Sequence, residues 1–284
     1  MTMIPRALGV VLACVALLLT VAQPAISREP ISPAALGTLT GVDKALEDVA
    51  SAMAEEAANV AKEDPNLSDA NTFIAAWKKS ALSSFAPDKL KASFAQRLTG
   101  KLTPSETNAV EDFYRSELGQ RVVGAEIAGS SKAAQAAMAG EALALMEKLE
   151  TDPARKAALK SLSAAAQIDE MSVTIALNVA RAMMIGVASA QTSGQRLTLE
   201  DISQAIDQMR EQTGKEMAAL TALSMAYIYR NIPVGDLASY EAFMRTPAGA
   251  KFIDQVMKGL DAVISEASLA FGKALAVELG RDPI

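Results

Sequence analysis

The chain has 284 residues, half of them hydrophobic but only 4% aromatic, with a net charge of −6, one cysteine and no histidine. That apolar content supports a substantial core and argues against a disordered chain, and the scattered acidic balance argues against a dedicated nucleic-acid binder. Without histidine there is no imidazole general base, no Ser-His-Asp triad and no histidine-ligated metal, and one cysteine permits no internal disulfide.

The first predicted element is an export signal. Arg6 precedes an apolar run of 16 residues from Ala7 to Ala22, followed by Gln23, Pro24 and the small-residue site Ala25-Ile26-Ser27. This is the pattern of a signal peptide over residues 1–27, cleaved after Ser27. The run is shorter than the roughly 20 residues a spanning helix needs, so an uncleaved anchor ranks second. Cys14 follows Val11-Leu12-Ala13, which loosely resembles a lipoprotein processing site, but the apolar run continues through Val21 and the segment before Cys14 is too short. Cleavage leaves Arg28 to Ile284 with no cysteine and with 33 acids against 26 bases. The expected destination is the periplasm.

The rest reads as all-α. Alanine is abundant, glycine and proline fall at a few points, and period-two strand patterns bounded by turns are absent. Ile31 to Gly41 reads as a loose leader, and the first helix is expected from Val42 to Lys62, ended by Asp64-Pro65-Asn66. Ser68 is a cap candidate for a helix carrying Phe73, Ile74 and Trp77. The next helix follows Ala86-Pro87 and carries Leu90, Phe94 and Leu98, with Gly100 as its stop. Thr103-Pro104-Ser105-Glu106 combines a capping box with proline at the first helical position, the clearest helix start in the chain. One long alanine-rich helix is expected to run on toward Leu149. Thr151-Asp152-Pro153 marks a boundary, a further helix extends from Ala154 to about Gln191, and Thr198 caps one through Tyr229. Ile232-Pro233-Val234-Gly235 is a break, and Pro247 opens a last helix to about Leu279. Within these, Met171 to Ala190 is apolar on nearly every side, but Asn178 and Arg181 at its centre favour a buried central helix over a membrane span.

Phe113-Tyr-Arg-Ser-Glu-Leu-Gly119 returns 130 positions later as Phe243-Met-Arg-Thr-Pro-Ala-Gly249. In the same register Leu102-Thr103 meets Ile232-Pro233 and Leu67-Ser68 meets Leu197-Thr198, so helix starts recur along with the motif. The expectation is a helical bundle of two divergent repeats, 28–150 and 151–284, packed as one compact body. Ser116 and Thr246 are both good N-caps, followed by Glu117 in one copy and Pro247 in the other, two residue types that suit a first turn. No shared catalytic role explains that exchange. Gly119 and Gly249 fall inside the following helix, where glycine costs about 1 kcal/mol against alanine, so a second backbone is expected to approach closely there. Phe113 and Phe243 are expected in the core between the joined helices. Glu111 and Arg115, like Glu241 and Arg245, keep acid four residues before base and read as solvated pairs.

Leu102-Thr-Pro-Ser-Glu106 followed by Phe113-Tyr-Arg-Ser-Glu-Leu-Gly119 resembles the signature of an uncharacterised family of exported bacterial helical proteins, the domain of unknown function 2059. Phe113, Tyr114, Ser116 and Gly119 match its F-Y-x-S-x-x-G pattern, whereas Met244 and Thr246 make the second copy divergent. The resemblance covers about 25 residues and implies a helical fold and a bacterial envelope location, with no assigned reaction.

No phosphate loop, dinucleotide turn or calcium loop occurs, and no carboxylate pair is selected by residue order. Met183, Met184, Met217 and Met225 are candidates to line an adaptable apolar groove between the halves, with core filling as the alternative. The functional expectation is an exported noncatalytic binding or structural protein without cofactor, catalytic or metal residues, or a membrane span once the signal is removed. Its partner is an envelope protein or an apolar ligand, not a nucleic acid. The alternatives are a carrier of an apolar ligand such as a lipid, and a carboxylate-dependent hydrolase. Oligomeric state is not legible.

Overall fold

A computed structural model of the chain describes residues 28–63, 69–190 and 198–281. The expected signal peptide, the stop at Asp64-Pro65-Asn66 and the cap candidate Ser68 lie outside these residues. The described residues form twelve α-helices and no strand, in one compact all-α body.

Helix starts follow the capping chemistry. Ser32 accepts from the Ala35 amide, opening α1 (Pro33–Leu39) with proline in the first turn. The leader is therefore a helix, because Ser32-Pro33 is itself a helix start and Leu36 is buried. Gly41, at φ +79°, turns the chain into α2 (Val42–Glu63). Asp69 caps α3 (Ala70–Ser84), and α4 (Pro87–Leu98) follows. Gly100, at φ +70°, then leads to the Thr103–Glu106 capping box of α5 (Pro104–Arg115).

The long alanine-rich helix is in fact two, α6 (Glu117–Ser130) and α7 (Lys132–Thr151). Ser131 has an extended backbone, donates to the Ala128 carbonyl and accepts from the Ala134 amide. The segment from Ala154 to Gln191 is also broken, into α8 (Pro153–Ala166) and α9 (Ile168–Ala190), by the left-handed Gln167 at φ 55°. The Thr198–Asp201 capping box starts α10 (Leu199–Ile228), and α11 (Val234–Met244) and α12 (Pro247–Arg281) complete the chain.

Two main cores result. The first gathers α1 to α5 around residues such as Leu36, Phe85, Phe94 and Val110, and is closed by Phe252, Val263 and Phe271 of α12. The second lies among α6, α7, α8, α10 and α11, with Val122, Leu162, Leu237 and Tyr240 at its centre. Phe113, Phe243 and Ile253 pack against both.

Helix α9 lies against α10 and α12. It is less enclosed than its composition suggests: from Met171 to Gly186 only Leu177 and Gly186 are buried. At Gly186 a Cβ would stand 2.5 Å from the Leu269 carbonyl oxygen and 2.9 Å from the Gly272 Cα, so the absence of side chains sets how closely α9 and α12 cross. Asn178 donates to Asp261 on α12 at 2.9 Å, so its polar group is spent on the crossing. No described helix is long and apolar enough to cross a membrane.

Candidate functional site

The repeated heptapeptides form two joints, α5 to α6 and α11 to α12, and the bonding at the two is nearly the same. At the first, the Ser116 hydroxyl donates to the Phe113 carbonyl at 2.6 Å and accepts from the Gly119 amide at 3.1 Å. At the second, the Thr246 hydroxyl donates to the Phe243 carbonyl at 2.7 Å and accepts from the Gly249 amide at 3.0 Å. One hydroxyl thus joins the end of one helix to the start of the next: it adds a bond to a carbonyl that also accepts the backbone N–H of Ser116 or Thr246, and it caps the amide of the following glycine. The bend folds the new helix back on the old one. A Cβ at Gly119 would lie 2.2 Å from the Phe113 carbonyl oxygen and 2.6 Å from the Tyr114 Cα, and one at Gly249 would lie 2.1 Å from the Phe243 carbonyl oxygen. The backbone that forbids a side chain belongs to the helix immediately before each joint.

The two joints meet. The Phe113 and Phe243 rings stack with centroids 3.8 Å apart and planes 2° from parallel, and Tyr240 lies parallel to Phe113 at 5.6 Å. Tyr114 is edge-on to Phe113, Phe243 and Phe252. Met244, the counterpart of Tyr114, is buried in the second core. Pro247 occupies the first position of α12, where its missing N–H costs nothing.

Beside the stack sits a cluster that local sequence patterns do not disclose. Tyr229 and Tyr240 donate to the same oxygen of Glu126, at 2.6 and 3.2 Å, and the Tyr114 hydroxyl bonds that of Tyr240. Burial pushes the Glu126 carboxyl above its ordinary range, and the two tyrosine hydrogen bonds oppose it only in part. The hydroxyls of Tyr114, Tyr229 and Tyr240 are themselves pushed up, by burial first and by the neighbouring carboxylate second. The one mark in the sequence is that Glu126 is the lone charge between Arg121 and Lys132, which does not say what it meets; three of the chain's four tyrosines converge on it only in the fold.

The flanking ion pairs are less solvated than their spacing implies. Glu111 is buried, with a side chain 5% exposed, and holds Arg115 at 2.7 Å and Arg28 at 2.6 Å. Burial alone would raise its pKa, but Arg115 and Arg28 together bring it below the ordinary value. Glu241 bonds Arg245 and the Ser161 hydroxyl, each at 2.7 Å, and its pKa is also lowered, by Ser161 first and Arg245 second. Arg155, on α8, donates to the Tyr229 and Ile232 carbonyls and so places a cation at the C-terminal end of α10.

The four methionines are not brought together. Met183 packs against the first core, Met225 is buried in the second, and Met184 packs on a small third cluster with Leu177, Ile202 and Ile206. Met217 is half-buried on α10. Adjacent positions such as 183 and 184 leave a helix about 100° apart, so they face different neighbours. Met225 does line a cavity of about 220 Å³ among α7, α8, α9 and α10, with Met146, Leu149 and Leu159. Among the described residues no group of three or more cysteine or acidic side chains is placed to hold a metal ion.

The chemistry of the joints is thus hydrogen-bond capping and ring stacking, and the tyrosine cluster binds its carboxyl internally. Comparison with curated proteins finds no match, and comparison with solved structures finds none either. Residues 88–148, which run from the start of α4 through the first joint and most of α7, match the family described as "Uncharacterized protein conserved in bacteria (DUF2059)".

Proposed function

We propose that the chain is an exported, noncatalytic binding protein of the bacterial envelope. One observation carries this reading: the most distinctive residues of the sequence, the two heptapeptides, stack their phenylalanine rings on each other and spend their hydroxyls and glycines on joining helices. The acid with a raised pKa in that region is engaged by two tyrosine hydroxyls and stands among groups that hold it in place. Export is supported by the pattern of residues 1–27, and the match of residues 88–148 supports a bacterial setting.

The full chain, expressed in a bacterial host, is expected in the osmotic-shock fraction with an intact mass beginning at Arg28. A protein retained in the cytoplasm at full mass overturns the export assignment. Purified protein offered peptidoglycan, phospholipid and ester substrates is expected to give no turnover. Turnover abolished by Glu126→Gln or Glu111→Gln alone would establish an acid-dependent enzyme instead.

A further inference from the structure

The cavity among α7, α8, α9 and α10 has an apolar interior and two buried hydroxyls, Ser163 and Thr221, in its lining. Ser163 is 5% exposed and its Oγ has no hydrogen-bond partner. The Ser80 and Ser265 hydroxyls also lack a partner, away from this cavity, whereas the buried Ser268 answers that need within its own helix by donating to the Ile264 carbonyl. Ser163 does not, although its geometry as a helical residue offers the same acceptor four positions back. A buried polar group is ordinarily paired, so an unpaired hydroxyl in the wall of a cavity points to a ligand group that completes it.

The rim says what else that ligand carries. Lys156 is held by Glu150 at 2.6 Å, so these two rim charges satisfy each other. Lys160, one turn before Ser163 on the same face of α8, and Asp169, from the first turn of α9, also line the cavity, and both are exposed with no ion-pair partner among the described residues. An opening that offers one free cation, one free anion and an apolar interior fits a molecule bearing a carboxylate, an ammonium and an apolar side chain. Its volume lies below the roughly 300–1,000 Å³ of pockets for drug-sized ligands, so the occupant is small.

We infer that this cavity binds a small apolar zwitterion, an apolar amino acid or a dipeptide of such residues. Lys160 receives its carboxylate, Asp169 its ammonium, Ser163 a polar backbone group, and Met146, Leu149, Leu159 and Met225 the side chain. The inference rests on the noncatalytic binding role proposed above and names its ligand class.

Isothermal titration of the full protein with leucine and with Leu-Leu is the test, with decanoate as the control for a simple amphiphile. At least one zwitterion is expected to bind, with affinity lowered tenfold or more in Lys160→Gln and in Asp169→Asn, while both variants melt as the parent does. N-acetyl-Leu-Leu, which lacks the ammonium, is expected to be insensitive to Asp169→Asn. Leu-Leu amide, which lacks the carboxylate, is expected to be insensitive to Lys160→Gln. Ala222→Met, which fills the cavity, is expected to abolish binding without loss of fold by circular dichroism. Binding of decanoate that neither zwitterion displaces overturns the assignment, as does saturation by neither zwitterion at millimolar concentration, or binding indifferent to both rim substitutions. Free leucine released from Leu-Leu would overturn the noncatalytic reading while leaving the site in place, whereas absent binding with no turnover overturns the site alone.

Discussion

The joints at Ser116 and Thr246 are a natural pair of trials of one design. From Asp112 to Gln120 and from Ala242 to Ala250 the pattern of buried, half-buried and exposed residues is the same at every position. What the two share is what the bend requires: a hydroxyl to serve two helix ends, a glycine where the backbone doubles back, and a phenylalanine at the meeting point. What differs is what the surroundings decide. Tyr114 reaches a polar cluster, whereas Met244 fills an apolar one, and Glu117 and Pro247 are two different ways of starting a helix. The comparison separates geometry, which tolerates little, from packing partners, which can be exchanged.

The largest effect should come from the shared rings. Phe113→Ala and Phe243→Ala are each expected to cost about 3 kcal/mol, and the double variant less than the sum, by an amount of order 0.5–1.5 kcal/mol for a stacked aromatic pair. Urea unfolding of the four proteins in the cycle measures this, and strict additivity would mean that the two rings do not sense each other.

Next come the glycines. Gly119→Leu and Gly249→Leu should each lose at least about 1–3 kcal/mol, because the added Cβ meets a carbonyl oxygen of the main chain and not a movable side chain. Unfolding curves that match the parent would show that the joint can open.

A smaller difference should distinguish the caps. Ser116→Ala is expected to cost about 1 kcal/mol and Thr246→Ala less, since Pro247 presets the first turn of α12 whether or not the hydroxyl is present. Thermal melts that reverse this order would assign the stiffness of the second joint to something other than proline.

The smallest effect concerns pH. Glu126 has a folded-state pKa above its ordinary 4.5. As pH rises from that ordinary value through the raised one, the unfolded chain has released a proton that the folded protein still holds, so stability declines across the window and stays lower above it. Glu126→Gln should remove that decline. Glu111 behaves oppositely: with its folded pKa below 4.5, its contribution is present above that value and is lost as pH falls through the lowered one. Stability profiles of Glu126→Gln and Glu111→Gln that bend in the same direction would contradict both assignments.

Much of the helix order was legible because starts are written in local chemistry. Thr103-Pro104, Thr198, Asp152-Pro153 and Pro247 each announce a helix through a side chain or ring acting within one turn. Ser131 and Gln167 did not, since serine in an alanine-rich run suits a helix interior as well as a cap, and a left-handed glutamine has no compositional mark. For the site, the register of 130 residues related the two motif copies, but periodicity gives the buried face of a helix and not the identity of what it meets. The Glu126 cluster draws on α5, α6, α10 and α11, and the cavity around Ser163 on four helices, so both depend on tertiary placement that no local pattern encodes.

The position of α12 has a consequence for how the chain comes to be folded. The core built on α1 to α5 lacks one wall until Phe252, Val263 and Phe271 of α12 pack against it, and α12 lies far along the chain from those helices. Domains commonly fold from the N-terminus during synthesis, but the contacts that complete this core are of long sequence separation, a class that forms slowly. The first core therefore closes only after α12 has been made, however early its other helices form.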